Sequence, residues 1–244
     1  MQLVQKSRNL LESLGYESKH LNAYIAIFYA TCMFLFFLYG ASANQFQFWF
    51  PWYKDAPLFD LYRYIFHFCS FFVLAFAIPA LYVKIYLKEP LSAVGLTLGD
   101  KKLGGKILLV VSFLIIPPGV VIAALTPSLQ DFYPLARIVM EKPELVWVYE
   151  FFYGLVFYPA WEFFFRGVLL FLVAREFGAI PAILIQTMAT ALVHIGTPAE
   201  EVTTSIIGGI ALGVVAIKTR SIVYPYIIHM SLGVIKDFLI VYWR

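Results

Sequence analysis

Long apolar runs separated by short polar connections dominate this chain. No Asp, Glu, Lys or Arg occurs in six of these runs, at 21–53, 64–83, 107–130, 177–199, 202–217 and 221–235. A seventh run, 146–174, is interrupted only by Glu150, Glu162 and Arg166. A helix needs about 20 mostly apolar residues to cross the hydrocarbon core of a bilayer. The pattern therefore predicts an all-α, polytopic transmembrane helical bundle of seven spans, or of eight if the run 146–174 breaks at Pro159.

Composition agrees with this pattern and excludes an ordinary soluble protein. Hydrophobic residues make up 61% of the chain, charged residues only 14%, and the mean hydropathy is +0.80. Continuous apolar runs favour helices over a transmembrane β-barrel, whose strands are shorter and alternate. The polar connections 84–106 and 127–145 are too short to fold alone, so residues 1–244 are expected to form one transmembrane domain. Membrane lipids are expected to surround the bundle, and no nucleic-acid partner is expected.

Lysine and arginine residues predict how the bundle is oriented. Short cytoplasmic loops collect these residues, and Lys6, Arg8 and Lys19 precede the first span. The connection 84–106 holds five more lysines. The amino terminus and this connection are therefore expected on the cytoplasmic side. With seven spans, the connection 218–220 also returns to that side.

Ionisable residues at bilayer depth are the candidates for chemistry, because they are costly there and usually face the bundle interior. Glu162 and Arg166 are four residues apart on one helix face, with the acid first, which favours an ion pair. His194 and His229 lie in two other apolar runs. A structural ion pair and two satisfied core histidines would explain these residues without any chemistry. Their convergence on one interior cavity would instead indicate a functional site.

Small residues in the run 202–217 predict close helix packing. Gly209 and Gly213 are one turn apart and form a stripe that lets a neighbouring helix approach. This stripe is expected to help bring the helices of His194 and His229 together.

The order of these features resembles the CAAX-protease and bacteriocin-processing family, also called CPBP or Abi. The resemblance is carried by Glu162-Phe163-Phe164-Phe165-Arg166-Gly167, then His194, Gly209-xxx-Gly213, Thr219-x-Ser221 and His229. It implies a family-like catalytic core at about 146–240 and a glutamic-type intramembrane endopeptidase. A glutamate would activate water, and the histidines would position that water and stabilise the oxyanion. The implied substrate is a peptide or protein with a membrane-anchored tail, and the implied location is a bacterial inner or plasma membrane.

Three positions depart from the family pattern. Trp161 stands where the first of two glutamates is usual, Thr190 where an aromatic residue precedes the first histidine, and Gly233 where an asparagine follows the last. The position of Trp161 is usually assigned the general base. Glu162 is the preferred replacement for that base, and Glu201, seven residues after His194, is the alternative carboxylate.

Two further interpretations stay open at this point. One glutamate and two histidines could hold a catalytic zinc ion, but no His-Glu-x-x-His helix occurs, so catalysis without a metal or other cofactor is preferred. A non-catalytic membrane chaperone or small transporter could use the same buried polar residues. Trp161 is the best support for that alternative.

Overall fold

The computed structural model describes residue 10 and residues 13–243 of the chain. The described residues form helices and no β-strand, which confirms the all-α prediction. Lys6 and Arg8, two of the cations used to predict the orientation, lie outside the described residues.

Each predicted apolar run corresponds to a helix or to a bent pair of helices. The helices are α1 Ser18–Trp49, α2 Phe59–Tyr86, α3 Lys101–Leu114, α4 Ile116–Leu125, α5 Pro127–Phe132, α6 Ile138–Glu141, α7 Pro143–Phe177, α8 Ala179–Val193, α9 Ala199–Thr219 and α10 Val223–Trp243. Helices α3 and α4 meet at a bend of 43° and together account for the third run.

The number of long spans is smaller than the seven to eight predicted. Helices α1, α2, α7, α9 and α10 are long and apolar enough to cross a membrane, and the bent pair α3 and α4 makes a sixth span. Helix α8 is apolar but has only 15 residues, which gives it a length of about 22 Å. It is short because Gly178 and Gly196, with φ of +85° and +103°, lie outside helical geometry on either side.

Helix α7 continues through Pro159, so the alternative of eight spans, which required a break there, does not apply. Proline removes a backbone donor and crowds the preceding turn. The turn Tyr153–Phe157, directly before it, is π-helical and accommodates this change without ending the helix. A second π-helical stretch, Phe163–Leu169, follows. One continuous helix therefore carries Trp161, Glu162 and Arg166.

The glycine stripe of α9 packs against α8, as its spacing predicts. A Cβ atom on Gly209 would lie 2.9 Å from Cγ2 of Thr187, and one on Gly213 would lie 2.9 Å from Nε2 of Gln186. That Nε2 atom donates a hydrogen bond to the carbonyl oxygen of Gly209 at 2.7 Å. The two helices approach closely because neither glycine has a side chain.

The cation-rich connections gather at one end of the bundle. Arg175, near the end of α7, donates to Glu89 at 3.0 Å. The hydroxyl of Ser221 donates to the carbonyl oxygen of Thr97. The connections 84–106 and 220–222 therefore share one face, as the predicted arrangement of spans requires. That this face is cytoplasmic stays a prediction.

Aromatic side chains pack α2 against α7 next to the candidate site. The ring centroids of Phe71 and Phe157 are 4.7 Å apart, and each ring lies 5.7 Å from the ring of Trp161. Such tilted and offset contacts stabilise aromatic clusters beyond the burial of their area. The cluster holds the Trp161 indole in place on α7.

Candidate active site

Glu162 and Arg166 form a buried pair in α7. Glu162 is 0% exposed and Arg166 is 3% exposed. The Nη1 atom of Arg166 lies 3.4 Å from Oε1 of Glu162, across one helical turn. Each charge would be uncompensated without the other at this depth. The pair predicted from the sequence spacing therefore forms.

His229, on α10, is a second partner of the Glu162 carboxylate. Its Nδ1 atom lies 2.7 Å from the same Oε1 atom. Because an ionised carboxylate can only accept, the imidazole donates from Nδ1, which leaves Nε2 for another partner. The ring also meets the Tyr158 ring edge-on at 4.7 Å between centroids. Glu162 thus fixes both the tautomer and the orientation of His229.

His194 directly follows α8 and faces a different carboxylate. Its Nδ1 atom lies 2.7 Å from the carbonyl oxygen of Thr190, and a carbonyl oxygen accepts, so Nδ1 carries a proton. The Nε2 atom lies 3.7 Å from Oε1 of Glu201, which is beyond the length of a direct hydrogen bond. In the neutral ring these two atoms are both acceptors. One water molecule fits the chemistry of this gap, because it can donate a proton to each.

Glu201, in the first turn of α9, is held by a tyrosine from a distant part of the chain. The hydroxyl of Tyr133 donates to both carboxylate oxygens, at 2.6 and 2.8 Å. Tyr133 lies in the connection between α5 and α6 and is 4% exposed. Burial, and secondarily the Glu201 carboxylate, raise the pKa of Tyr133 well above its usual value. The hydroxyl therefore stays protonated and acts as a donor.

The Trp161 indole contacts both histidines. Its ring centroid lies 5.3 Å from that of His194 and 6.1 Å from that of His229, with the planes nearly perpendicular in both cases. Trp161 occupies the position of the first glutamate in the family pattern. An aromatic ring therefore stands where the resemblance places a carboxylate.

A cavity of about 630 Å³ joins the two histidines. His194, His229, Trp161, Tyr133 and Glu201 all line it, and most of its remaining lining is apolar. Glu162 lies behind this surface and does not line the cavity in the described part of the chain. The carboxylate that reaches the cavity is thus Glu201, the alternative in the sequence prediction.

Tyr158 occupies the space beside His229 that the family pattern gives to an asparagine. A Cβ atom added to Gly233 would overlap the hydroxyl oxygen of Tyr158. No side chain larger than hydrogen fits at position 233 unless Tyr158 moves. The replacement of that asparagine by Gly233 is therefore coupled to the presence of a tyrosine one helix away.

A second group of buried charges lies behind Tyr133. The Nζ atom of Lys236 lies 3.3 Å from Oδ1 of Asp237 and 2.9 Å from the centroid of the Tyr133 ring. Asp237 is 0% exposed. A cation against an aromatic face is attracted by the ring quadrupole. Lys236 thus links the last helix to the tyrosine that holds Glu201.

The described residues contain no group of three or more His, Cys, Asp or Glu side chains arranged to hold a metal ion. The candidate donors instead form two pairs, Glu162 with His229 and Glu201 with His194. Catalysis without a metal stays a prediction.

Residues 143–235 match the family model described as type II CAAX prenyl endopeptidase Rce1-like. The predicted resemblance is confirmed over this segment. The Rce1-like segment begins with α7 and ends within α10, so it contains both histidines, both candidate carboxylates and Arg166. Tyr133 lies outside it. Together with the long apolar helices, the match supports an integral membrane protein. No curated protein and no solved structure matches the chain.

The structure brings the predicted site residues together in two pairs around one cavity. Arg166 stays with Glu162, away from the cavity surface. Sequence reasoning missed Tyr133, since it belongs to no motif and lies in an irregular connection. The sequence gives only a weak indication that Glu201 pairs with His194, namely that the connection 194–198 is short enough to keep the two residues close.

Proposed function

We propose that this protein is an intramembrane endopeptidase that hydrolyses a peptide bond in a substrate with a membrane-anchored tail. The observation that carries the proposal is that His194 and His229, each beside a carboxylate, line the same cavity. Ion pairs that serve only stability have no need to open on a cavity. The match of residues 143–235 to the Rce1-like family supports the same activity.

The gap between His194 and Glu201 is the proposed water site. A water molecule there donates one proton to Nε2 of His194 and the other to Oε1 of Glu201, and its lone pairs stay free for attack. Glu201 removes a proton as the water oxygen adds to the substrate carbonyl carbon. The carbon–nitrogen bond then breaks, and Glu201 returns the proton to the leaving amine. The products are a new carboxyl terminus and a new amino terminus.

His229 is the proposed partner of the substrate carbonyl oxygen. Glu162 accepts from Nδ1 at 2.7 Å, and in the doubly protonated imidazolium form Nε2 also carries a proton, which it can donate to the developing oxyanion. Glu162 then acts through His229, and Glu201 acts on water. The sequence favoured Glu162 as the base and Glu201 as the alternative. This assignment reverses that preference, because Glu201 is the one of the two carboxylates that lines the cavity. Arg166 is proposed to neutralise Glu162.

The mechanism proposed here uses no metal ion or other cofactor. Each step is performed by a carboxylate or an imidazole that the described chain supplies. The further proposals concern the surroundings: membrane lipids around the helices, no nucleic-acid partner, a bacterial inner or plasma membrane, and a cytoplasmic amino terminus. The shared end of the cation-rich connections supports the last of these.

Hydrolysis in oxygen-18 water tests the proposed activity. The purified protein in proteoliposomes would be incubated with a farnesylated CAAX peptide and with peptides that carry a transmembrane tail. The proposal expects cleavage of at least one, with one oxygen-18 atom in the new carboxyl terminus. The matched control is His194→Ala, which should release no product. Release at the same rate by wild type and His194→Ala, or by neither, would contradict the proposal.

A non-catalytic membrane chaperone or small transporter is a second candidate, and Trp161 favours it. The indole fills the place of the carboxylate that the family pattern supplies and packs against both imidazoles. Under this alternative the cavity binds a solute or a segment of a partner. The wild-type protein would then incorporate no oxygen-18 into any of the tested peptides. Oxygen-18 incorporation by wild type that is absent in Glu201→Gln at normal abundance would contradict this alternative.

A further inference from the structure

Tyr133 joins the candidate site from outside the Rce1-like segment. Its hydroxyl is within hydrogen-bonding distance of both oxygens of Glu201, at 2.6 and 2.8 Å. The carboxylate on the cavity surface is therefore placed by a residue that lies 10 positions before residue 143, where the family match begins.

The ring of Tyr133 is itself fixed from the opposite side. Lys236 lies over the ring at 2.9 Å from its centroid, and Asp237 holds Lys236 at 3.3 Å. Tyr133 is 4% exposed and Asp237 is 0% exposed. A buried cation of this kind is stabilised by both the carboxylate and the aromatic face. These contacts form a connected chain from α10 through Tyr133 to Glu201 and on to His194.

We infer that Tyr133 is a positioning residue of the active site, which holds the Glu201 carboxylate directed at the water site, and that Lys236 supports Tyr133 in this role. Both oxygens of the carboxylate contact one hydroxyl, so the plane of the carboxylate is restrained. Loss of the hydroxyl frees the carboxylate to rotate. The kinetic part of this inference rests on the proposed function, whereas the contact itself does not.

Tyr133→Phe removes the hydroxyl and keeps the ring, so it isolates the contact with Glu201. In the proteoliposome assay we expect kcat to fall about 10- to 100-fold, as for other partners that orient a catalytic group, with KM nearly unchanged.

Tyr29→Phe is the matched control. Tyr29 is a tyrosine of α1 whose hydroxyl donates to the carbonyl oxygen of Leu74 at 2.6 Å, so this variant also removes a tyrosine hydrogen bond within the bundle. It should leave kcat and KM unchanged. Lys236→Met should lower kcat by less than Tyr133→Phe does. Lys236→Arg should keep the wild-type kcat, because arginine also stacks on an aromatic face.

An infrared measurement tests the contact without any substrate. The carboxylate stretching band of Glu201 is the band that disappears in Glu201→Gln. We expect this band to shift in Tyr133→Phe and to stay in place in Tyr29→Phe. An unshifted band together with a wild-type kcat in Tyr133→Phe would overturn the inference. If the band shifts in Tyr133→Phe but the wild-type protein cleaves no peptide, the contact between Tyr133 and Glu201 is confirmed and the proposed function is contradicted.

Discussion

The Nε2 atom of His194 lies 3.7 Å from Oε1 of Glu201, and both atoms are acceptors when the ring is neutral with its proton on Nδ1. This relationship divides the site into two parts with different tasks. His194 and Glu201 face a water position, whereas His229 is bonded directly to Glu162 at 2.7 Å. The first prediction follows from this difference.

Glu201→Gln and Glu162→Gln should both lose activity, but to different extents. Glu201→Gln removes the proton acceptor and should lower kcat by about 10²- to 10⁴-fold. Glu162→Gln removes the partner that orients His229 and should lower kcat by about 10- to 100-fold. Measurement of kcat for both variants at matched folded amounts checks this. Full activity in Glu201→Gln with none in Glu162→Gln would return the role of base to Glu162.

Arg166→Ala should destabilise the protein strongly. It leaves the Glu162 carboxylate, which is 0% exposed, without its cation, and breaking a buried pair costs about 3 to 5 kcal/mol of unfolding free energy. Denaturation of the protein in detergent measures this loss.

Arg175→Ala is the control for that prediction. Arg175 pairs with Glu89 at 2.8 Å, but both side chains are 36% exposed, and such pairs contribute about 1 kcal/mol or less. Equal losses of stability in the two arginine variants would show that the Glu162 pair is not buried.

Gly209→Ala should weaken the packing of α9 on α8. The added methyl group would meet Thr187 at 2.9 Å, and overpacking of this kind costs about 1 to 3 kcal/mol. Gly208→Ala is the neighbouring control, because nothing lies within 4 Å of a Cβ at that position. Gly208→Ala should be neutral or stabilising by up to about 1 kcal/mol. Similar unfolding free energies for both variants would contradict the close approach of the two helices.

Strong chelation should leave the rate of peptide cleavage unchanged. The proposed mechanism activates water with Glu201 and His194 alone, so removal of divalent metal ions affects none of its steps. The assay compares rates before and after prolonged treatment with chelator, and then after addition of zinc. Loss of activity on chelation with recovery on zinc addition would contradict the mechanism without a metal, but it would still support the protease activity.

The residues that could be predicted from the sequence are those fixed by helix geometry or by a motif. Glu162 and Arg166 pair because they are one turn apart, and the glycines of α9 meet α8 because their spacing puts them on one face. Tyr133 could not be predicted, since its contact with Glu201 spans 68 residues and depends on the course of an irregular connection. The short length of α8 could not be predicted either, because the hydrophobic pattern does not show that Gly178 and Gly196 lie outside the helix.

A double-mutant cycle on His194 and His229 tests whether the cavity holds a single active site. The measurement is kcat for cleavage of the membrane-anchored peptide by wild type, His194→Ala, His229→Ala and the double variant, all at matched folded amounts in proteoliposomes. The effects of residues that act as one unit on one reaction are not additive. We expect each single variant to lose most of the activity and the double variant to lose little more. Wild-type rates in both single variants, or losses that multiply in the double variant, would contradict a single active site at this cavity.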